Sequence, residues 1–516
     1  MKEIELGVSE MRSRSSGLAS AGTAMLLLLL TASSAATAYD LLVVGGGSAG
    51  LTAAKFAARF GKSVALIEKE RLGGDCTWTG CIPSKSLIAS AEVAHTVRSS
   101  EKFGITGAGA VSVDMTAVKA RIGRIIGEIY DADDSAEALK KLGIDAISGD
   151  AKLVDAQSVA VTSGTGSTIY KAAKGVIVAT GARPRAPLID GIDSVPYLTY
   201  EQIFDLEAVP AKLTVVGGGP IGAELSHAFA RLGASVTLVA PALIPGHEPE
   251  AASDLAGAMS ADGVTLVSAR AKSVQRAGAN GHQLTCSDGT VVEGSTLLVA
   301  IGRVPAVDGM GLQELGVAFE QTTGGIVVDT KLRTSVKGLY AAGDCTGDQQ
   351  FTHYAGFQGA IAARNILLPL SDPGIVGDQV PAVVFTSPEV ARVGQTEAAA
   401  RAADASGKGV AVAFRRMGKV DRAITMGQNE FGFLKIIYKP QNGIILGATV
   451  MGPSAGELIS EIAVAMAGKV KLPALASIMH AYPTVSIALQ QMAAEVYYDQ
   501  LEKSMPLYNA LSKLGL

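Results

Sequence analysis

Two cysteines carry the strongest chemical signal in this chain. They stand in Gly73-Gly74-Asp75-Cys76-Thr77-Trp78-Thr79-Gly80-Cys81-Ile82-Pro83-Ser84-Lys85, five positions apart. Such a pair can cycle between dithiol and disulfide, hold a metal, or simply fill a core. In a regular helix the two Cα atoms would stand roughly 8–9 Å apart, beyond the ~7 Å that a disulfide tolerates. A redox bridge therefore needs a bent segment, and Gly80 and Pro83 supply the means. A thiol near a helix start has a lowered pKa and is the better nucleophile. No further C-x-x-C or histidine cluster follows, which argues against zinc, and no metal site is expected. The other cysteines, Cys286 and Cys345, stand alone and read as structural.

The elements that must position this pair lie just upstream, and they occur twice. Residues 41–70, LLVVGGGSAGLTAAKFAARFGKSVALIEKE, align without a gap on residues 213–242, LTVVGGGPIGAELSHAFARLGASVTLVAPA, with 13 identities in 30 positions. Each copy reads as an apolar strand, a glycine turn, a helix and a second apolar strand, a βαβ unit with G-x-G-x-x-G at its first turn. The glycines are Gly45, Gly47 and Gly50, then Gly217, Gly219 and Gly222. Such a turn lets backbone approach a pyrophosphate, and the following helix N-terminus offers unpaired N–H groups and a positive dipole end. One such turn alone would read as an ordinary Gly-rich loop; two in this setting imply two dinucleotide sites. The first unit ends its second strand on Glu68, placed to accept from a ribose 2′-hydroxyl, whereas the aligned residue of the second is Ala240. The missing carboxylate removes a repulsion of the NADP 2′-phosphate, so the second site leans towards NADPH over NADH. Arg231 and His247 are the nearby candidates to hold that phosphate, and both read equally as solvated surface residues.

The chain has 516 residues, 48% of them hydrophobic and 18% charged, with a formal net charge of −4 and 60 glycines. At roughly 100–200 residues per domain this is room for about three domains with sizeable cores. The charge balance and the lack of a Lys/Arg-rich run give no basis for nucleic-acid binding. Four cysteines exclude a disulfide scaffold. Residues 1–38 form a separate segment: no charge between Arg14 and Asp40, a leucine run ending at Leu30, and Ala36-Thr37-Ala38. That is the layout of a secretory signal cleaved after Ala38, with a cleaner start at Met11. The same segment reads as an organellar transit peptide, an unstructured extension or an uncleaved anchor, and a membrane association is expected only in the last case.

Further blocks follow in order: Ala179-Thr180-Gly181-Ala182-Arg183-Pro184, Ala300-Ile301-Gly302-Arg303-Val304-Pro305 and Gly338-Leu339-Tyr340-Ala341-Ala342-Gly343-Asp344. Together with the glycine turns and the cysteine block, they resemble the FAD-dependent pyridine nucleotide–disulfide oxidoreductases, the group of dihydrolipoamide dehydrogenase, glutathione reductase and mercuric reductase. The resemblance runs from Tyr39 to about residue 495. It implies an α/β protein with two Rossmann-like domains and a C-terminal α+β dimerisation domain. The implied parts are 39–187 for the first part of the FAD domain, 188–307 for the NAD(P) domain, 308–378 for the second part of the FAD domain, and 379–516 for the interface domain of a homodimer. FAD would lie along Gly45, Gly47 and Gly50 with Glu68 on its ribose and with Gly181 and Asp344 beside it. NADPH or NADH would dock on Gly217, Gly219 and Gly222, near Gly302. Electrons would pass from the flavin to the pair, with Cys81 forming the thiolate–flavin charge-transfer partner and Cys76 the interchange thiol. Lys85 and Glu224 match the family's ion pair beside the flavin.

The C-terminal third should begin at Pro381, with strands near Gly432–Tyr438 and Ile444–Val450 and a helix over Gly456–Ala467. Its end departs from the disulfide reductases, which carry His-Pro-Thr and then a glutamate that orients the acid–base histidine. Here the residues are His480-Ala481-Tyr482-Pro483-Thr484-Val485-Ser486-Ile487. Tyr482 takes the histidine position, Ile487 that of the glutamate, and His480 is displaced by two. A tyrosine of pKa ~10 is a poor proton shuttle at neutral pH, and His480 reads as structural. Tyrosine here, and Asp421-Arg422-Ala423, are similar to mercuric reductase, yet the vicinal C-terminal cysteines of that enzyme are missing. The expectation is an NAD(P)H-dependent flavoenzyme whose pair reduces a small acceptor: a metal ion, quinone or electrophile. The alternatives are a disulfide reductase of the dihydrolipoamide dehydrogenase or glutathione reductase type, and a flavin-binding redox sensor.

Overall fold

The structure, a computed structural model, describes residues 37–107, 111–164, 166–278, 281–369 and 371–513. The leader reading of the N-terminus lies outside them for residues 1–36. Thr37 and Ala38 already belong to the first strand, Thr37–Val44, so a cut after Ala38 would shorten that strand by two residues.

Three sheets of four or more strands organise the described residues, with two smaller ones beside them. In the first, Thr37–Val44 is central, paired in parallel with Val64–Glu68 on one side and Gly166–Val178 on the other. Ile144–Ser148 extends one edge in parallel, and Leu339–Ala341 pairs in parallel with Gly166–Val178. Leu41, Leu42 and Val43 are fully buried, as a run covered on both faces requires. The short strand Leu339–Ala341 returns the chain to this sheet after a second sheet has intervened. It carries Asp344 in behind it, and the helix Thr352–Leu367 then packs on the first βαβ helix, Ser48–Arg59. The contact is backbone to backbone: a Cβ on Gly359 would stand 2.0 Å from the Ala49 carbonyl oxygen.

The second sheet repeats the plan with four parallel strands, ordered Val264–Val267, Ser235–Val239, Lys212–Val216 and Thr296–Val299. A three-stranded antiparallel sheet follows, Ala271–Ala277, Gly281–Cys286 and Val291–Gly294. The third sheet is antiparallel and five-stranded. It includes Phe433–Tyr438 and Ile445–Gly452, and the helices Ala455–Ala467 and Ile487–Lys513 accompany it. These strands and the first of these helices fall where the apolar patterning places them.

One buried cation ties the third sheet to the start of the helix Pro249–Ala261, which follows the second sheet's strand Ser235–Val239. The Lys435 side chain is 2% exposed, with its ammonium 2.8 Å from Glu248, 2.8 Å from Glu250 and 2.9 Å from Glu397. Among the described residues these three carboxylates are the one acidic group close enough to hold a metal ion, and a lysine already stands in their midst. Removing one partner of such a buried set costs about 3–5 kcal/mol.

Candidate functional site

The cysteine pair sits where two helices meet end to end. Cys76 lies in the short helix Gly74–Trp78, and Cys81 opens the helix Cys81–Arg98. The bend between them is made at Gly80, where a Cβ would stand 2.8 Å from the Asp75 carbonyl oxygen. Pro83 does not contribute to it. It occupies the first turn of the second helix, where proline is tolerated because its missing N–H would have no helical partner.

The two thiols are free and hydrogen-bond each other, and their environments push them apart. Cys76 is raised far above the ordinary thiol range, first by that hydrogen bond and then by burial. Cys81 is brought down to about 6, first by the hydrogen bond from Cys76, with further help from Thr352 and Lys85 against the cost of burial. Thr352 opens its own helix and puts Oγ1 3.1 Å from Cys81 Sγ. Thus Cys81 is the thiolate and Cys76 keeps its proton. The expected ion pair is present: Lys85 Nζ lies 2.8 Å from Glu224 Oε2 and 4.4 Å from the centre of the Phe385 ring. Glu224 Oε1 accepts from the Phe385 backbone N–H at 3.0 Å. One carboxylate therefore links the Cys81 helix, the second nucleotide domain and the start of the C-terminal domain.

A cleft of about 950 Å³ runs from the first glycine turn to Cys76. Gly45, Gly47, Glu68, Gly181, Asp344 and Thr352 all line it. Gly45 (φ 107°) has its amide bonded to the Ile67 carbonyl, and a Cβ there would stand 2.3 Å from the Ala179 carbonyl oxygen. A Cβ on Gly50 would stand 1.8 Å from the Gly45 carbonyl oxygen, so the helix can start this close to the strand only on glycine. The Glu68 carboxylate accepts from the Gly46 amide at 2.6 Å and from the Glu70 amide at 2.8 Å. At Gly181 the space is open, with nothing within 4 Å of where a Cβ would project. The cleft is at the upper end of ligand-pocket sizes; with an anion-ready helix N-terminus at Ser48, a carboxylate at the strand end and an open glycine wall, it fits FAD.

Three residues of this cleft, Asp75, Arg303 and Asp344, form a network with the buried Tyr200 that sequence reasoning did not anticipate. Arg303 pairs with both Asp75 and Asp344, and its Nε donates to Tyr200 Oη at 3.1 Å. Tyr200 in turn donates to Asp75 at 3.1 Å. Burial pushes the Asp344 carboxyl above its usual range while Arg303 pulls it back. Trp78 walls the same cleft: its Nε1 donates to the Leu72 carbonyl at 2.7 Å, its ring stands 5.1 Å from Tyr130, and the Arg71 guanidinium lies 4.5 Å over it.

The second glycine turn repeats the first. Gly217 has φ 117°, a Cβ on it would stand 2.2 Å from the Ala300 carbonyl oxygen, and one on Gly222 would stand 1.8 Å from the Gly217 carbonyl oxygen. At Gly219 nothing lies within 4 Å of where a Cβ would project. A second cleft of about 610 Å³ opens beside Gly217, Val239 and Ile301. Gly302 (φ 108°) accepts from the Arg185 amide at 3.0 Å.

The readings of Arg231 and His247 need correction. Arg231 is neither a phosphate ligand nor a solvated residue: it is 9% exposed and pairs with Glu92 and Asp262. His247 is half-buried, with Nδ1 3.2 Å from the Ile244 carbonyl oxygen, and burial lowers its pKa to about 4, so it offers no cation at neutral pH. His480 is held in place: Nδ1 is 2.8 Å from the Ile478 carbonyl oxygen, Nε2 is 2.7 Å from Glu461, and the side chain is 6% exposed. Tyr482 lies away from the cleft of its own chain, 68% exposed, donating to Asp421 at 3.0 Å. Met479 beside it is 92% exposed. Cys286 and Cys345 are buried as structural residues, and burial pushes the Cys345 thiol up to about 12.

Comparison with known proteins agrees with this geometry. The family model of the pyridine nucleotide-disulphide oxidoreductases matches residues 39–359, and that family's dimerisation domain matches residues 380–493. A dihydrolipoyl dehydrogenase of Chlorobaculum tepidum is 35% identical over 470 residues, 87% of this chain and 95% of that protein. An NAD(P)H dehydrogenase (quinone) of Mycobacterium tuberculosis is 34% identical, over 89% of this chain and 94% of its own. Among solved structures, LpdA of Mycobacterium tuberculosis superposes with a TM-score of 0.80 at 31% identity, covering 89% of this chain and 99% of that one. The Cu(II) complex of RclA, an HOCl-induced flavoprotein disulfide reductase of Escherichia coli, has a TM-score of 0.78 at 27% identity, covering 89% and 100%.

Proposed function

For a chain that belongs to the pyridine nucleotide-disulphide oxidoreductases, an FAD- and NAD(P)H-dependent enzyme family, we propose that the Cys76–Cys81 pair delivers two electrons to a small acceptor that needs no histidine acid–base catalyst, a metal ion in the first instance. The observation that carries this reading is the division of labour at the C-terminus. Tyr482 stands at the position where the family resemblance puts the histidine, and His480 has both ring nitrogens engaged within its own chain.

FAD, when bound, supplies the two-electron relay between the nicotinamide and the cysteines. The protein's own groups do the rest. Lys85 sets a positive charge near Cys81, and Glu224 keeps that cation paired. Thr352 and Cys76 hydrogen-bond the Cys81 thiolate. One NAD(P)H and one proton convert the disulfide to two thiols; as the disulfide re-forms, its two electrons go to one Hg(II), two Cu(II) ions or one quinone, and the two thiol protons go to solvent or to the quinone. Two thiolates can hold a soft metal ion without a proton donor. That a structural relative was solved as a Cu(II) complex supports this acceptor class. We further infer a homodimer, in which the exposed face carrying Met479 and Tyr482 meets the second copy. The quinone activity named for the Mycobacterium tuberculosis relative keeps quinone reduction as the second reading.

Anaerobic titration of the FAD-loaded protein with NADPH and NADH tests the mechanism. A long-wavelength absorbance band should appear after two electrons and vanish in Cys81→Ser. Direct bleaching without a band would overturn the role of the pair. Turnover is then compared among Hg(II), Cu(II), quinones and lipoamide. Fast disulfide turnover that is lost in His480→Ala would overturn the acceptor class.

A further inference from the structure

The second glycine unit lacks the carboxylate that the first carries; of the two nearby candidates, Arg231 is paired with Glu92 and Asp262, and His247 is neutral and bonded to the Ile244 carbonyl. The second cleft nevertheless contains a free guanidinium that neither βαβ strand supplies. We propose that Arg270 is the specificity residue of the nicotinamide nucleotide site, binding the adenosine 2′-phosphate and making NADPH the preferred donor. The proposal rests on reading the second cleft as that site.

The argument is one of position. In a βαβ dinucleotide site the ribose 2′-position lies at the end of the second strand, which here is Ser235–Val239 followed by Ala240. The neighbouring parallel strand is Val264–Val267, and the Ala240 amide donates to the Val267 carbonyl at 3.0 Å. The chain then turns tightly, with the Ala269 amide 2.9 Å from that same carbonyl, and Arg270 follows. Its backbone is fixed from both sides: the Arg270 amide donates to Ser287 Oγ at 3.3 Å, and its carbonyl accepts from the Ser287 amide at 2.8 Å. The side chain is exposed, lines the cleft beside Val239 and Pro241, and has no hydrogen-bond or ion-pair partner among the described residues. A held backbone with an unpaired guanidinium at the strand end is suited to bidentate phosphate recognition.

The charge around it agrees. The cleft is lined by Arg183, Arg185 and Arg270 and by no acidic residue. Arg183 is paired with Asp308. Arg185 stands near Gly302, its Nε 3.9 Å from where a Gly302 Cβ would project, which leaves Arg270 alone beside the Ala240 strand end.

The test uses the full FAD-loaded protein and two probes, adenosine 2′,5′-bisphosphate and 5′-AMP, by titration calorimetry. Wild type should bind the bisphosphate roughly tenfold to a hundredfold more tightly, the range expected for hydrogen bonds to a charged group. Arg270→Ala and Arg270→Gln should bring the two affinities to within about threefold of each other, whereas Arg185→Ala should keep the wild-type ratio. The NADPH/NADH ratio of kcat/KM should fall in parallel with the binding ratio. Equal affinities in wild type, or an unchanged ratio in both Arg270 variants, would overturn the assignment while leaving the enzyme reading intact. If neither probe binds and neither nicotinamide bleaches the flavin, the reading of the cleft itself fails, and Arg270 with it.

Discussion

The two βαβ units share their backbone geometry and differ at the residue that ends the second strand, Glu68 in one and Ala240 in the other. The strand-end glycines have φ 107° and 117°, and the helix glycines would each place a Cβ 1.8 Å from a carbonyl oxygen of their own turn. Yet Glu68 clasps the first turn by accepting from the Gly46 amide, while Ala240 leaves the second without such a clasp. We propose that the clasped turn retains FAD and that the unclasped one exchanges NAD(P)H each cycle.

The same small change in the two units should break different things. Gly50→Ala forces a Cβ into the Gly45 carbonyl. Its expected product is protein without flavin, seen as loss of visible absorbance on purification. Gly222→Ala makes the equivalent clash with Gly217. It should keep FAD but slow flavin reduction by NADPH about a hundredfold or more, about 2.7 kcal/mol in barrier. If both variants lose flavin alike, the units are not functionally separate.

Exchanging the strand-end residues comes next. Ala240→Glu should lower NADPH use about tenfold relative to NADH, because a carboxylate there repels the 2′-phosphate. Glu68→Ala should weaken FAD retention by about 1.5–3 kcal/mol, measured from flavin dissociation. The smallest effect concerns the thiolate that faces the first unit. Because the Cys81 pKa is lowered, its thiolate stabilises the reduced protein above the ordinary thiol value, and that contribution is lost as pH falls through about 6. The long-wavelength band should therefore fade over the same range. Thr352→Val should move the midpoint upward, because the hydroxyl 3.1 Å from the sulfur is removed.

Both turns, the cysteine pair and the Lys85–Glu224 partnership are legible in the sequence, because each rests on local spacing or on a motif. What was not legible depends on distance along the chain. Arg303 reaches Asp75 across 228 positions, and Thr352 reaches Cys81 across 271. Nothing near Asp75 announces such a partner, although an acid amid the glycines was a visible oddity. Arg231 reads as surface because its helix is written as amphipathic, but the Cys81 helix packs against that face and brings Glu92 to it. Gly80 and Pro83 read jointly as the source of the bend because composition does not reveal that, of the two, only at Gly80 would a Cβ meet backbone.

Trp78, set between Arg71 and Tyr130 in the wall of the first cleft, is the chain's single tryptophan. All indole emission from this protein therefore arises two residues from Cys76. A bound flavin absorbs where tryptophan emits, so indole emission should be weak in the loaded protein and rise as the cofactor leaves. The molecule carries its own optical gauge of cofactor occupancy, readable at concentrations too low for absorbance and specific to one wall of one cleft.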